Sequence, residues 1–220
     1  MSKPARSSKR RNALVQTYLI AYNIASAAGW AYVLSLLIKS ITSHDGSYQD
    51  AYSDSGDVIK WVQTVAILEI IHAVVGVVHT PVWTTVMQVA SRILLVWGIM
   101  EAVGGTQVRA HWAYATMAAA WAVTEVTRYL YYGLNLVGMT PSWLVWCRYS
   151  FFYVLYPVGA GSEACEIYNA LPAARAYGDV LYYVLVGILC MYPPGFYTMY
   201  THMIGQRKKY LVGSSGKKRA

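Results

Sequence analysis

Charge is what this sequence has little of. Of 220 residues only 13% are Asp, Glu, Lys or Arg, against 56% hydrophobic, a balance that excludes an ordinary soluble domain of this length. Cysteine is nearly as scarce: Cys147, Cys165 and Cys190 all fall in apolar runs, without a C-x-x-C pair or a zinc-type spacing, which excludes a disulfide framework and leaves them as small packing residues. An Arg six positions after a Cys would suggest thiol-phosphate chemistry, but Tyr153, Leu171 and Phe196 stand there. His72 has no second His at i+4, so no metal site is expected. No internal repeat relates the two halves of the chain. Acids are outnumbered, 10 against 18 Lys and Arg; in a membrane protein this excess serves topology or an anionic leaflet, and no nucleic-acid partner need be invoked.

What is present is apolar sequence in long runs. Six stretches, near residues 13–38, 58–79, 83–102, 111–133, 143–165 and 179–204, reach the roughly 20 residues that a helix needs to cross hydrocarbon. The expected architecture is therefore all-α: a polytopic six-transmembrane-helix bundle in one integral membrane domain over 1–220, with basic tails at 1–12 and 205–220. The second and third stretches are parted only by His79, Thr80 and Pro81, which predicts a tight helical hairpin. The first apolar run is too long for a signal-peptide h-region and lacks a convincing cleavage site after it, so the first helix is expected to stay. Lys3, Arg6, Lys9, Arg10 and Arg11 precede helix one, and Arg207, Lys208, Lys209, Lys217, Lys218 and Arg219 follow helix six. The positive-inside rule then puts both termini in the cytosol. The loop carrying Asp45, Asp50, Asp54 and Asp57 falls on the lumenal side. The closing KKRA looks like a dilysine retrieval signal to the endoplasmic reticulum.

An ionisable group at the centre of a span costs roughly 2.5–3.5 kcal/mol on insertion scales, so such groups mark function or fixed partnerships. Helix two carries Glu69 and His72, helix three Arg92, and helix four Glu125 and Arg128. Glu125 with Arg128, or Glu69 with Arg92, can form neutralised pairs that only lock packing; the same residues can line a site. Helix five carries Arg148 and Tyr149 near its start, then Tyr156 and Glu163. The last two are seven apart, on one face and displaced by about 10 Å along a regular helix. Pro157, Gly159 and Gly161 lie between or beside them and are expected to kink or loosen the helix. Irregular backbone at membrane depth is tolerated where protein or a water-filled cavity covers it, so a phenol and a carboxyl can share a cavity there. Close helix packing by the same glycines is the blander alternative.

The segments YNIASAAGWAYVL, LEIIHAVVGVV, QVASRILLVWGI, TEVTRYLYYGLNLVG and WCRYSFFYVLYPVGAGSE, in that order, resemble the very-long-chain 3-hydroxyacyl-CoA dehydratases, formerly called protein tyrosine phosphatase-like proteins. The resemblance implies a six-helix enzyme of the endoplasmic reticulum membrane. Its reaction would remove water from a long-chain 3-hydroxyacyl-CoA to give the trans-2-enoyl-CoA, beside the elongase and reductases of fatty-acid elongation. The family's catalytic Tyr and Glu, seven apart with the Tyr in an L-Y-P motif, fall on Tyr156 and Glu163.

The chemistry suits these residue types: one base takes the α proton and one acid protonates the departing β hydroxyl, with no redox or metal cofactor. The favoured assignment makes Glu163 the base and Tyr156 the donor, and the reverse stays open. Arg148, Arg92 or Arg128 are candidates to hold the thioester oxygen or orient Glu163. Arg148 and the C-terminal cations are candidates to meet the CoA head from the cytosol. A start at Ser142 or Trp143 would leave Glu163 about 30 Å along the helix, a long reach for the substrate. Two rival classes remain on sequence alone: a small transporter or channel lined by the buried charges, and a non-catalytic adaptor of the elongation machinery.

Overall fold

The computed structural model describes residues 12–212. Every element among them is helical, with no strand. In chain order they are α1 (Ala13–Ser43), α2 (Ala51–Val65), α3 (Ile67–Val74), α4 (Val82–Ile93) continuing as a π-helix (Leu94–Val103), the short α5 (Thr106–Arg109), α6 (Trp112–Leu136), α7 (Ser142–Ser150), α8 (Phe152–Tyr177) and α9 (Asp179–Arg207), which runs into a last π turn (Lys208–Val212). Among the described residues three helical stretches are long and apolar enough to cross a membrane: Ala13–Ser43, Val82–Val103 and Asp179–Leu211. The expected tail cations Lys3, Arg6, Lys9, Arg10, Arg11, Lys217, Lys218 and Arg219, and the KKRA sequence, lie outside the described residues.

Local chemistry sets several of the ends. Asn12 opens α1 by accepting the Leu14 N–H on its side chain at 3.1 Å, and the His111 ring nitrogen accepts from Ala113 N at 3.2 Å to open α6. Pro81 and Pro141 stand just before α4 and α7, where a missing N–H costs nothing. Gly178, at φ 153°, is at once the end of α8 and the start of α9. Few residues with a Cβ adopt that backbone, and the turn lets the two helices fold back on each other.

Helix α6 is the hub. The buried stripe of α1, Leu19, Asn23, Ala27, Trp30, Val33, Leu37 and Ser40, repeats every three or four residues and so forms one face. That face meets α6, whose buried Ala113, Ala115, Ala118, Ala120 and Ala122 let neighbouring helices come close, Ala120 lying against Gly159 of α8. A Cβ on Gly133 would come 3.2 Å from the Ile24 side chain, so the absence of a side chain is used there. The edges of Trp30 and Trp121 meet at 6.5 Å between ring centroids. Helix α8 packs on the other side of α6 and also on α9.

Three sequence expectations change. The helix expected over 58–79 begins at Ala51, divides at Ala66 into α2 and α3 and ends at Val74, so Asp54 and Asp57 of the expected loop lie on α2, where polar residues continue the helix beyond the apolar run. The helix expected over 143–165 divides at Phe151 into α7 and α8, and α8 continues to Tyr177. The expected end followed apolarity, whereas Glu166, Asn169 and Arg175 make the continuation polar without costing it helix. Glu163 therefore lies in mid-α8, about 16 Å from its first residue, which shortens the reach that a start at Ser142 required. The expected loosening at Pro157 is also absent: Pro157 and Pro172 both lie inside continuous α8. The Tyr153 carbonyl, which loses its N–H partner to Pro157, accepts instead from the Tyr200 hydroxyl at 3.5 Å.

Candidate active site

The buried charges separate into two groups. The first joins α3, α4 and α6. Arg128 donates from Nε to Glu125 Oε2 at 2.6 Å and from both terminal nitrogens to the two oxygens of Glu69, each at 2.8 Å. Arg92 donates to the other Glu125 oxygen at 2.5 Å, and the Tyr129 hydroxyl donates to Glu69. Glu125 is 1% exposed, so two carboxylates and two guanidiniums sit as a neutral, multiply hydrogen-bonded cluster, the arrangement that makes buried charge tolerable. Arg128 commits Nε and both terminal nitrogens to carboxylates, which leaves it little to offer a substrate. His72 stands beside this cluster: its Nε2 is 2.8 Å from the Tyr18 hydroxyl, and the Tyr22 ring meets it edge-on at 5.0 Å.

The second group lies on the seam between α8 and α9. Glu163 accepts from the Trp121 indole N–H at 2.8 Å and from the Tyr192 hydroxyl at 3.1 Å. Both donors are neutral, and no cation forms a salt bridge with Glu163 among the described residues. Tyr156 is half-buried, and its ring stacks on Phe196 at 5.3 Å and Tyr200 at 6.3 Å. Tyr156 and Glu163 thus both face α9, as their spacing predicts. No hydrogen bond joins them, and about 10 Å of helix separates their backbones. A small group placed between them can reach both side chains.

One contact links the two groups. Arg92 lies 4.8 Å from the centroid of the Trp121 ring, a cation–π distance, while the indole N–H of that same ring holds Glu163. Of the arginines expected to help Glu163, Arg92 is the one so connected. Arg148 and Tyr149 lie elsewhere. Arg148 is 3.4 Å from the Tyr132 hydroxyl, and Tyr149 stacks on Tyr210 at 4.7 Å, beyond the far end of α9.

Sequence reasoning missed Trp121, Tyr192 and Glu166. Tyr192 is one of 20 tyrosines and carries no local mark; Trp121 reads as an apolar residue of its helix. Glu166 is fully buried with no hydrogen-bond partner for either carboxylate oxygen among the described residues. It sits one turn beyond Glu163, just past the expected helix end, so a search confined to the apolar run passed over it.

Chemically, the seam offers a carboxylate held by neutral donors and a phenol whose hydroxyl is not committed to protein, in surroundings built of aromatic rings. Such a pair can take one proton and give another. No set of three or more His, Cys, Asp or Glu suitable for a metal occurs among the described residues.

Residues 63–213 match the family model described as "Protein tyrosine phosphatase-like protein, PTPLA". A Schizosaccharomyces pombe protein named probable very-long-chain (3R)-3-hydroxyacyl-CoA dehydratase is 39% identical over 201 residues, 87% of this chain and 91% of that protein. A Caenorhabditis elegans protein named as a very-long-chain (3R)-3-hydroxyacyl-CoA dehydratase is 38% identical over 220 residues, 93% of this chain and 99% of that one. An Arabidopsis thaliana protein of the same enzyme name, PASTICCINO 2, is 36% identical over 213 residues, 90% and 95% of the two chains. No solved structure matches. With the family match covering most of its length and relatives this similar from end to end, the chain belongs to the protein tyrosine phosphatase-like family.

Proposed function

We propose that the protein dehydrates long- and very-long-chain 3-hydroxyacyl-CoA thioesters to trans-2-enoyl-CoA, the third step of fatty-acid elongation, with Glu163 and Tyr156 as the acid–base pair. The observation that carries the reading is Glu163 itself: a partly buried carboxylate between helices, held by two neutral donors and facing the same neighbouring helix as Tyr156. Glu125, by contrast, is held by two guanidiniums. The enzyme names borne by the relatives supply the substrate class.

In this reading the substrate's α and β carbons lie between the two side chains. Glu163 takes the α proton, acidified by the thioester carbonyl; the C–O bond at the β carbon breaks, and the hydroxyl leaves as water with the proton of Tyr156. The carboxylic acid then returns a proton to the phenolate, directly or through the released water, and the site is reset. Trp121 and Tyr192 fix the carboxylate, and Arg92 acts on it through the indole ring. Neither redox nor metal chemistry enters these steps, and coenzyme A belongs to the substrate.

The reading includes six spans with both termini cytosolic, in the endoplasmic reticulum membrane, with the elongase and reductases as neighbours in the same bilayer. The stretches α2–α3, α6 and α7–α8, which are not among the three plainly apolar ones, carry Glu69, His72, Glu125, Arg128, Glu163 and Glu166. Polar groups turned toward other helices lower a segment's mean hydropathy without exposing charge to lipid. The test is direct: purified protein in nanodiscs is given a long-chain 3-hydroxyacyl-CoA, and trans-2-enoyl-CoA is measured. Product well above the protein-free rate is expected; its absence sinks the enzyme reading, and solute flux in liposomes would then favour a transporter.

A further inference from the structure

Where α7 meets the end of α9, the molecule gathers cations that nothing neutralises. The sequence holds no Asp or Glu between Glu125 and Glu163 and none after Asp179. Arg148, Arg207, Lys208 and Lys209 form no salt bridge among the described residues. Aromatic rings hold two of them: the Arg148 guanidinium lies 5.9 Å from the Tyr149 ring, and Arg207 lies 5.4 Å from the Tyr153 ring while donating to Ser150 Oγ at 3.3 Å. Self-repulsion among such charges is unfavourable unless an anion answers it.

Beside these cations the outer face of α9 and its last turn carries an open depression of about 360 Å³, lined by the exposed His202, Gly205, Gln206, Lys209 and Tyr210. Its tyrosine is already stacked, Tyr210 on Tyr149 with ring planes 13° apart, so a rigid π surface forms part of the wall. Gln206 and His202 hydrogen-bond to each other at 2.7 Å and add polar edges. A flat ring, an ammonium and neighbouring guanidiniums are the elements that recognise a purine carrying phosphates.

The depression stands at the α7 end of α9, on a face beside the one that forms the seam with the candidate pair. Tyr192 touches Glu163, Phe196 and Tyr200 stack on Tyr156, Arg207 reaches Ser150, and Tyr210 stacks on Tyr149. From Tyr200 to Tyr210 is about 15 Å of helix, and from Tyr192 about 27 Å. A compact ligand cannot occupy both places, whereas a molecule with a polar head and an extended arm can.

We propose that this depression and its rim bind the adenine-nucleotide head of an acyl-CoA, with the pantetheine arm lying along the α8–α9 seam toward Tyr156 and Glu163. The inference rests on the dehydratase reading for the identity of the substrate. Tyr210 stacks on the base, while Lys209, Arg207 and Arg148 meet the phosphates. Acidic phospholipids share the phosphate chemistry but carry no purine, and their heads need not reach along the seam.

The test compares two thioesters of the same 3-hydroxy acid, one on coenzyme A and one on pantetheine, in phosphatidylcholine nanodiscs, together with calorimetric binding of free coenzyme A. In the Lys209→Glu and Tyr210→Ala variants the ratio of kcat/KM for the CoA thioester to that for the pantetheine thioester is expected to fall about tenfold, mainly through KM, and coenzyme A to bind about tenfold more weakly. An unchanged ratio, or equal loss on both thioesters, overturns the site. A fall that appears only when phosphatidylserine is added assigns the depression to lipid phosphate and also overturns it. A wild type inactive on both thioesters sinks the dehydratase reading; the calorimetry still judges the depression, since coenzyme A bound equally by wild type and variants contradicts it.

Discussion

The two polar regions inside this helical bundle are built in opposite ways. The cluster of Glu69, Arg92, Glu125 and Arg128 closes on itself: carboxylates meet guanidiniums and the net charge is zero. On the α8–α9 seam, Glu163 has neutral donors only and the Tyr156 hydroxyl has no protein partner among the described residues. Saturated charge fixes helices in place and resists change of protonation. Unsaturated acid and phenol are left free to exchange protons, and on the proposed reading the first region is structural and the second carries the chemistry.

The sharpest way to break that contrast is to open the saturated cluster. Glu125→Gln leaves Arg92 and Arg128 short of one negative charge in a buried place, so a loss of about 3–5 kcal/mol is expected in thermal or denaturant unfolding, with activity lost only in proportion to the unfolded fraction. On the seam the effect inverts. Tyr156→Phe keeps the stack on Phe196 and should leave the melting temperature within a degree or two of wild type, while kcat falls about 100-fold, as for loss of one acid–base group. Trp121→Phe keeps a ring beneath Arg92 but removes the N–H to Glu163, so kcat should fall about tenfold with little change in KM. Tyr18→Phe removes one hydroxyl at His72; the cost should be about 1 kcal/mol in stability, with no loss of rate in the folded protein.

Much of this organisation was legible in the sequence, and the exceptions have physical causes. The hairpin at His79–Pro81 and the helix starting near residue 13 follow from proline and from a long apolar run. The pairing of Glu125 with Arg128 follows from their spacing, but the bidentate grip of Arg128 on Glu69 joins residues 59 positions apart, which one sequence does not encode locally. The common face of Tyr156 and Glu163 follows from a seven-residue step. The partners of Glu163 do not, because they come from α6 and α9 and look like ordinary aromatic residues there. Helix α8 outlasts its apolar stretch, so apolarity alone ends the helix just short of Glu166.

The most direct measurement is the dehydration rate of Glu163→Gln, at equal amounts of folded protein in nanodiscs, with a long-chain 3-hydroxyacyl-CoA. The amide preserves the shape: its oxygen can accept from Trp121 while its NH2 donates to the Tyr192 hydroxyl oxygen, but it cannot take the α proton. The account predicts a loss of at least about 100-fold in kcat with the melting temperature nearly unchanged. A variant that turns over at the wild-type rate would contradict it.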